Sequence, residues 1–344
     1  MSSFTNLEDS IVQEDVVNGG IDDVLFAIPK KGRLHDECLK LLAGADLKYD
    51  RPARVDVATC REFPIKLVFL PAADIPSYVG EGNCDLGITG VDVVMEKDED
   101  DGNEDIALDK VAINDEFSVV ETKIKLGFGK CKLCVQAPVQ SNIKSPSELA
   151  GKRIVTSFPN LTRKYFRKIE KNLGLTIGCT KIRYVSGSVE AACGLGLADG
   201  VVDLVETGTT MKAAGLEIVS NMITTEAVII GPKNDISNNA LNNDLNERQK
   251  TVNLILKRIR GYMTATNYLM ISYNITKKLL STAQNVTPGK RAPTVSSLDV
   301  KPGEPEAVAV SALVSRKQSS NIMDNLEEIG ATDILVVSIS NSRM

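Results

Sequence analysis

Short apolar runs that end at glycine or proline alternate with polar segments of helical spacing along most of this 344-residue chain. The first run, residues 24–28, ends in a Pro-Lys-Lys-Gly-Arg turn, and apolar side chains then recur at helical spacing up to residue 42. Further strand-like runs lie at residues 67–70, 85–90, 132–137, 152–157, 181–185 and 200–205. This alternation predicts open α/β sheets, whose ligands are expected beyond the carboxyl ends of the strands.

A chain of this length exceeds what one hydrophobic core normally holds, so we expect several domains. One or two strands between residues 217 and 230 are predicted to lead back to the first sheet, and the acidic run from Glu96 to Asp105 predicts a solvated loop. The predicted divisions are a flexible extension at 1–22, a first lobe made of 23–129 and 217–235, a second lobe at 130–216, and a C-terminal domain at 236–344.

The C-terminal domain begins with an Asn-rich linker and a helix, and then has the pattern of a ferredoxin-like β-α-β-β-α-β module. Its predicted elements are a strand at 268–272, a helix at 276–283, strands at 294–298 and 307–314, a helix at 322–330 and a strand at 332–339. A ligand-sensing module and a plain dimerisation domain are both compatible with this pattern.

Composition excludes several classes of protein. The net charge is −5 and the charged residues form no basic block, which argues against binding to duplex nucleic acid. An apolar run long enough for a membrane helix is absent from the sequence, and the N-terminus does not resemble a secretory signal, so a cytoplasmic location is expected. Seven scattered cysteines and one histidine favour buried free thiols over a structural zinc site.

A strand-to-turn junction carries the most specific chemistry. The run 200–205 contains one acidic residue, Asp203, and continues into Glu206-Thr207-Gly208-Thr209-Thr210 before a helical pattern. Free backbone N–H groups at such a turn, together with threonine hydroxyls, favour a phosphate, whereas an upstream carboxylate suits sugar hydroxyls or a metal ion. The junction therefore predicts a sugar phosphate as ligand, with an ordinary helix cap as the alternative.

An ordered set of motifs resembles the long form of the ATP phosphoribosyltransferases, the first enzymes of histidine biosynthesis. Each motif alone is weak, and their number and order over residues 24–340 make the joint match specific. They are AIPKKGRL at 27–34, DIP at 74–76, CDLGITG at 84–90, GKRIVTS at 151–157, GSVE at 187–190, ADGVVDLVETGTT at 198–210, TPGKRAPT at 287–294 and GATDILV at 330–336.

The resemblance implies that the 5-phosphoribosyl group of phosphoribosyl pyrophosphate (PRPP) is transferred to N1 of ATP, with release of pyrophosphate. It also implies a catalytic core of two lobes, like that of periplasmic binding proteins, and a C-terminal regulatory domain that binds histidine as a feedback inhibitor. Homodimers that associate into hexamers are expected, and Mg²⁺ is the expected cofactor, held by Glu190 and Asp203 or only through substrate.

Site residues follow from the same resemblance. The expected catalytic residues are Glu190, Asp203, Lys30 and Arg33. PRPP is expected at Gly187, Ser188, Asp203, Glu206, Thr207, Gly208, Thr209 and Thr210, and ATP at Lys30, Gly32, Arg33, Asp74 and Gly90. Contacts to the histidine effector are expected from Thr287, Arg291 and Thr294, and cleft contacts from some of Lys152, Arg153, Thr156 and Ser157.

Two alternatives stay open on the sequence. Glu190 also fits an ordinary carboxylate in the first turn of a helix. The two-lobed architecture by itself also allows a ligand-binding protein without catalysis, although the chain has no secretory signal and has the Asp203–Thr210 junction. His35 is expected on a helix face, at the surface or satisfied in the core.

Overall fold

The computed structural model describes residues 23–52, 55–100, 118–233 and 247–343, with the side chains of Arg33, Glu99 and Asp100 left aside. The predicted extension at 1–22, the Asn-rich linker at 234–244 and the second half of the acidic run lie outside the described residues. Backbone contacts divide the chain into two compact units, Met1–Leu39 with Lys48–Val252 and Lys40–Leu47 with Asn253–Met344. The first unit contains two sheets and the second contains one.

The first sheet has seven strands in the order β2-β3-β4-β1-β5-β12-β6. Its central strand β1 lies parallel to both β4 and β5, and its apolar residues are buried on both faces, as expected for a parallel strand covered by helices. The strands are β1 (Val24–Pro29), β2 (Tyr49–Asp50), β3 (Val57–Cys60), β4 (Ile65–Leu70), β5 (Leu86–Gly90), β6 (Val120–Lys125) and β12 (Ala227–Pro232). The helices of this lobe are α1 (Arg33–Gly44), α2 (Ile75–Gly80) and α3 (Val91–Asp100).

The second sheet has five strands in the order β11-β7-β10-β8-β9. Because β8 runs parallel to both β9 and β10, the turns that follow these three strands lie at one edge of the sheet. The strands are β7 (Cys131–Pro138), β8 (Arg153–Thr156), β9 (Lys181–Tyr184), β10 (Gly200–Val205) and β11 (Leu216–Thr225). Its α-helices are α4 (Pro159–Asn172), α5 (Ala191–Gly194) and α6 (Thr209–Ala213), and a short 3₁₀ turn covers Pro146–Leu149.

The return to the first sheet comes later than the sequence suggested. Strand β11 was expected in the first lobe, but it pairs antiparallel with β7 along most of its length and belongs to the second sheet. The chain re-enters the first sheet at β12, directly after Glu226, where β12 pairs with β5 and β6. The apolar run at 217–230 therefore contains two strands of two different sheets, which periodicity alone does not separate.

The solvated loop predicted for the acidic run is wrong for its first five residues. Glu96 to Asp100 form the second half of helix α3. Asp98 is buried and accepts a hydrogen bond from the Ser118 hydroxyl at 2.9 Å, and Glu96 is half-buried. Acidic composition favours solvent exposure, but here hydrogen-bond donors from other segments satisfy the carboxylates.

The second unit contains the ferredoxin-like module that the sequence predicted. Its sheet has the order β14-β15-β13-β16, and helices α8 and α9 pack on one face over a shared apolar core. The elements are α7 (Glu247–Asn267), β13 (Tyr268–Thr276), α8 (Leu280–Val286), β14 (Thr294–Ser297), β15 (Ala307–Ser315), α9 (Ser319–Glu328) and β16 (Thr332–Ser338). The predicted boundary at 236 differs from this division, which falls inside α7.

Residues 40–47 belong to the second unit, where Gly44 lies very close to a side chain of helix α7. A Cβ atom on Gly44 would lie 2.0 Å from the ring of Tyr262 on α7, so only glycine allows this approach. The carbonyl oxygen of Asp46 accepts a hydrogen bond from Arg258 Nη1 at 3.0 Å.

Among the helices of the described ranges, none combines the length and the apolar character needed to cross a bilayer.

Candidate active site

The turn after β10 presents polar groups to solvent while its apolar side is anchored. Glu206, Thr207, Thr209 and Thr210 are exposed, and the hydroxyl oxygens of Thr207 and Thr209 lie 3.0 Å apart. Met211 is buried below them in a small apolar cluster that includes Val205. The turn therefore holds its hydroxyl and amide groups at the surface of a fixed support.

Gly208 is required for its backbone conformation. Its φ of +75° lies in the left-handed region, and it occupies the residue directly before α6. A Cβ at this position would lie 3.6 Å from Met211 Cε, an ordinary contact, so packing alone does not require a glycine here. The positive φ explains the glycine in the structure.

Asp203 is a half-buried carboxyl group near the end of β10. Its Oδ1 accepts a hydrogen bond from the Leu204 amide at 2.8 Å, and Gln136 Nε2 donates to its backbone carbonyl at 3.3 Å. Burial raises the pKa of Asp203 to about 6, the Leu204 amide opposes that rise, and the charge of Glu190 adds to it. Asp203 is thus a partly desolvated acid within electrostatic range of a second carboxylate.

Glu190 comes from the turn after β9. Gly187 and Ser188 both have positive φ, +89° and +50°, and the buried Val189 fixes the segment to the core. Glu190 directly precedes α5 but makes no side-chain capping hydrogen bond, which weakens the interpretation of an ordinary helix-terminal carboxylate. An open cavity of about 530 Å³ is lined by both Glu190 and Thr210, so the two turns border one space.

The first lobe contributes a cation that is already paired. Lys30, directly after β1, forms an ion pair with Asp56. Asp56 also lies 3.4 Å from Arg51 Nη2, and the Arg51 guanidinium stacks 3.8 Å above the ring of the buried Phe69. Sequence reasoning missed Arg51 and Asp56, because neither stands in a motif or at the end of an apolar run.

His35 supports the same edge of the first sheet. Its Nδ1 lies 2.7 Å from the carbonyl oxygen of Pro29, and its ring meets Phe69 edge-on with centroids 5.9 Å apart. Gly32 has φ +90° in the turn between them, and Arg33 begins α1, although its side chain is outside the described part. His35 therefore holds the Lys30–Arg33 turn in place, as a satisfied core histidine would.

Asp74 follows the carboxyl end of β4 and Gly90 is the last residue of β5, at the sheet edge where Lys30 lies. Asp74 is exposed and precedes α2 without a side-chain capping bond. A Cβ on Gly90 would lie 2.2 Å from Asp92 Oδ1, so this glycine makes room for a buried neighbouring carboxyl group. Asp74 is thus placed for a ligand, whereas Gly90 has a structural reason of its own.

Most of the 152–157 segment is turned away from the turns that follow β9 and β10. Arg153 lies at the amino end of β8 and binds Asp199 through two side-chain hydrogen bonds of 3.1 and 2.7 Å, which lower the pKa of Asp199 to about 2. Thr156 is completely buried. Ser157 is the residue that reaches the site, because its hydroxyl donates to the carbonyl oxygen of Val185 at 2.8 Å.

Comparison with known proteins identifies the family of this chain. A model of the ATP phosphoribosyltransferase family matches residues 71–261, and a model of the HisG C-terminal domain matches residues 265–341. The chain belongs to the ATP phosphoribosyltransferase family. It is therefore an enzyme of histidine biosynthesis that transfers a pentosyl group between small-molecule substrates, and the family predicted from the motifs is confirmed.

Curated ATP phosphoribosyltransferases match nearly the whole chain. The enzyme of Saccharomyces cerevisiae is 45% identical over 332 residues, which cover 96% of this chain and 100% of the relative. The enzyme of Candida albicans is 44% identical over 331 residues with the same coverage. A solved structure described as the ATP phosphoribosyl transferase (HisG:HisZ) complex from Thermotoga maritima is 24% identical, covers 70% of this chain and 98% of that chain, and gives a TM-score of 0.52, which supports the fold.

One effector residue expected in this ATP phosphoribosyltransferase is not placed to meet a ligand. Thr287 is completely buried, and its hydroxyl bonds to the Tyr273 hydroxyl at 2.7 Å and to the Ala283 carbonyl oxygen at 3.1 Å. It lies at the C-terminal end of α8, and its expected role in effector binding stays a prediction. Arg291 and Thr294 are exposed.

Proposed function

We propose that this chain transfers the 5-phosphoribosyl group of PRPP to N1 of ATP and releases pyrophosphate, the first step of histidine biosynthesis. The observation that supports this most strongly is the junction at the end of β10. A partly desolvated Asp203, within electrostatic range of Glu190, is followed after Leu204 and Val205 by a turn whose threonine residues are exposed. A ligand that suits both features has hydroxyl groups and a terminal phosphate, as PRPP does.

In this proposal the 206–210 turn holds the 5′-phosphate of PRPP. The backbone N–H groups of the turn and the hydroxyls of Thr207, Thr209 and Thr210 donate to the phosphate oxygens, and Glu206 borders the same space. Gly187 and Ser188 are assigned to the same ligand from the turn after β9, where both residues are exposed. These donors are amides and hydroxyls without a full charge, so the site selects the phosphate group by the arrangement of its donors.

Asp203 and Glu190 are assigned to the ribose hydroxyls and to Mg²⁺. Among the residues that the structure describes, no group of three metal-ligating side chains occurs, so two carboxylates suit an ion that substrate oxygens also bind. When bound, Mg²⁺ supplies positive charge that lowers the repulsion between the two polyanionic substrates. Burial, with a smaller contribution from the charge of Glu190, raises the pKa of Asp203, and a cation held between the two carboxylates would favour their charged forms.

ATP is assigned to the edge of the first sheet, at Lys30, Gly32, Arg33, Asp74 and Gly90. Lys30 is paired with Asp56, so a phosphate must exchange with that carboxylate. Both partners are about half exposed, at 46% and 47%, and an ion pair of this kind contributes at most about 1 kcal/mol. A polyanion can therefore displace Asp56 at small cost.

The reaction exchanges one bond at C1′ of the ribose for another. The bond from C1′ to the pyrophosphate oxygen breaks, its electron pair leaves with pyrophosphate, and adenine N1 forms the new bond to C1′. Positive charge develops on the sugar ring, and in this proposal the carboxylates of Asp203 and Glu190 stabilise it. Positioning of the two substrates supplies much of the remaining acceleration.

Feedback inhibition by histidine and assembly from dimers into hexamers complete the proposal. The C-terminal domain is the assigned effector site, with Arg291 and Thr294 as exposed candidates on the segment that leads into β14. The double variant R291A/T294A should leave uninhibited activity unchanged and raise the histidine concentration needed for half inhibition. Equal sensitivity in wild type and variant would remove these two residues from the effector site.

The proposal is tested by mixing the purified chain with ATP, PRPP and Mg²⁺. Pyrophosphate and a phosphoribosylated ATP should appear in equal amounts, and omission of any one component should stop both. A non-catalytic two-lobed binding protein would bind PRPP in calorimetry but release no pyrophosphate. That second result, with folded protein, would refute the transferase.

A further inference from the structure

A carboxylate from the first lobe holds the start of a helix in the second. Glu96 on α3 accepts the amide of Asn160 at Oε1, 2.8 Å away, and the amide of Leu161 at Oε2, 3.0 Å away. The Asn160 side chain donates back to the carbonyl oxygen of Glu96 at 3.3 Å. We call these three hydrogen bonds between Glu96 and the first turn of α4 the Glu96 clasp.

Helix α4 has no capping side chain of its own. The residue before it is Phe158, which makes no side-chain capping bond, and Pro159 occupies the first turn. The first amides of a helix need partners from outside the helix, and a carboxylate there is also favoured by the helix dipole. Glu96 supplies that partner from another lobe, so α4 depends on α3 for its first turn.

A second contact ties α3 to the second lobe near its other end. Asp92 is buried, its amide bonds to the Thr225 hydroxyl at 3.1 Å, and that hydroxyl donates to Asp92 Oδ1. Thr225 is the last residue of β11, where the chain leaves the second sheet. One apolar cluster also runs from the first sheet through Val94 and Met95 of α3 to Leu161 and Phe166 of α4.

Ser157 connects the Glu96 clasp to the proposed PRPP site through hydrogen bonds. Ser157 stands three residues before Asn160, its hydroxyl donates to the carbonyl oxygen of Val185, and the Gly187 amide approaches the same hydroxyl at 3.5 Å. Val185 and Gly187 belong to the turn that carries Glu190. A displacement of the first turn of α4 is therefore passed on to the turn beside Asp203.

We propose that Glu96 is a positioning residue for phosphoribosyl transfer, because it fixes the start of α4, and through Ser157 the 185–190 turn, to the lobe that holds ATP. Glu96 acts through the backbone of α4 and does not touch substrate. This inference rests on the proposed function in so far as PRPP is bound at the 185–190 and 206–210 turns. The clasp itself is a property of the folded chain and is measurable without substrate.

The test compares E96A and E96Q with the control E148A in the full-length enzyme. Glu148 Oε1 accepts the amides of Lys144 and Ser145, both at 3.0 Å, so E148A also removes two amide–carboxylate bonds at a helix start, but within one lobe. We expect E96A to lower kcat/KM for PRPP about tenfold, mainly through KM, with KM for ATP within about twofold of wild type. E96Q, which keeps one acceptor oxygen, should fall between, and E148A should match wild type.

Hydrogen exchange provides the readout that needs no substrate. E96A should speed amide exchange at residues 157–161 and 185–190, whereas E148A should speed it at 144–150 and leave the other two segments unchanged. Unchanged exchange at 185–190 in E96A, or the same kinetic constants in E96A and E148A, would overturn the proposal. A wild-type enzyme without transferase activity would refute the proposed function, and the exchange result alone would then decide on the clasp.

Discussion

The two sheet edges assigned to substrates are built in opposite ways. At the end of β10, a turn with exposed threonines follows Asp203, whose burial raises its pKa to about 6. At the end of β1, Lys30 is an exposed cation already matched by Asp56. The first edge thus combines exposed hydroxyls with a partly desolvated acid, whereas the second must exchange one charged partner for another, and changes at the first edge should have the larger effects.

The largest effect is expected from D203N. It removes the negative charge that we assign to the ribose while keeping a hydrogen-bond acceptor for the Leu204 amide. We expect kcat/KM for PRPP to fall by roughly 10²–10³, the range seen when a group that stabilises developing charge is lost. The measurement is steady-state pyrophosphate release. D203N with wild-type kinetics would show that both edges rely on other groups.

The same variant should be more stable than wild type at neutral pH. The pKa of folded Asp203 lies above its ordinary value of 3.8, at about 6, so the folded state favours the protonated form. That stabilisation is complete below pH 4 and is lost as the pH rises through 6. Because the amide side chain of D203N stays neutral at every pH, the variant should exceed wild type at pH 7 by roughly 1–3 kcal/mol, and the difference should vanish near pH 4. Urea unfolding at both pH values checks this.

A smaller effect is expected from G208A. An alanine at φ +75° strains the backbone by about 1 kcal/mol, and should also shift the amides that face the phosphate, raising KM for PRPP about tenfold. The control is G215A, at φ +71° beyond the other end of α6. Both variants should lose similar stability, and only G208A should change KM. A matching rise of KM in G215A would attribute the effect to strain in α6.

The smallest effect is expected at the other edge. D56N removes the carboxylate that competes with ATP phosphates for Lys30, so KM for ATP should fall about threefold at low salt and less at high salt. The control D50N breaks an exposed ion pair between Asp50 on β2 and Arg61, the residue directly after β3, and should leave KM unchanged. A rise of KM for ATP in D56N would mean that Asp56 orients Lys30 and does not compete with substrate.

Sequence reasoning reached most strands and helices because this chain's apolar runs and turn residues agree with one another. The β10 turn was predicted correctly as a polar turn since a single acid interrupts a buried strand just before Gly208. Strand β11 was assigned to the wrong sheet, because antiparallel pairing with β7 leaves no mark in the pattern of β11 itself. Only the pairing with a strand distant in sequence shows which sheet such a strand joins.

Residues that act through partners distant in sequence escaped prediction. Glu96 looked like part of an acidic loop, and its partners lie 64 and 65 positions further along the chain. Arg51 and Asp56 belong to no motif. Thr287 is a polar residue that the sequence allows at the surface, but in the structure it is buried and bonds to the hydroxyl of Tyr273. In each case the residue type allowed several roles, and only the tertiary neighbour selected one.

The central claim is tested most directly by a crystal structure of this enzyme with PRPP and Mg²⁺. The account predicts the 5′-phosphate inside the 206–210 turn, accepting hydrogen bonds from its amides and threonine hydroxyls, with the ribose hydroxyls or the metal ion beside Asp203. PRPP bound elsewhere, with that turn empty, would contradict it.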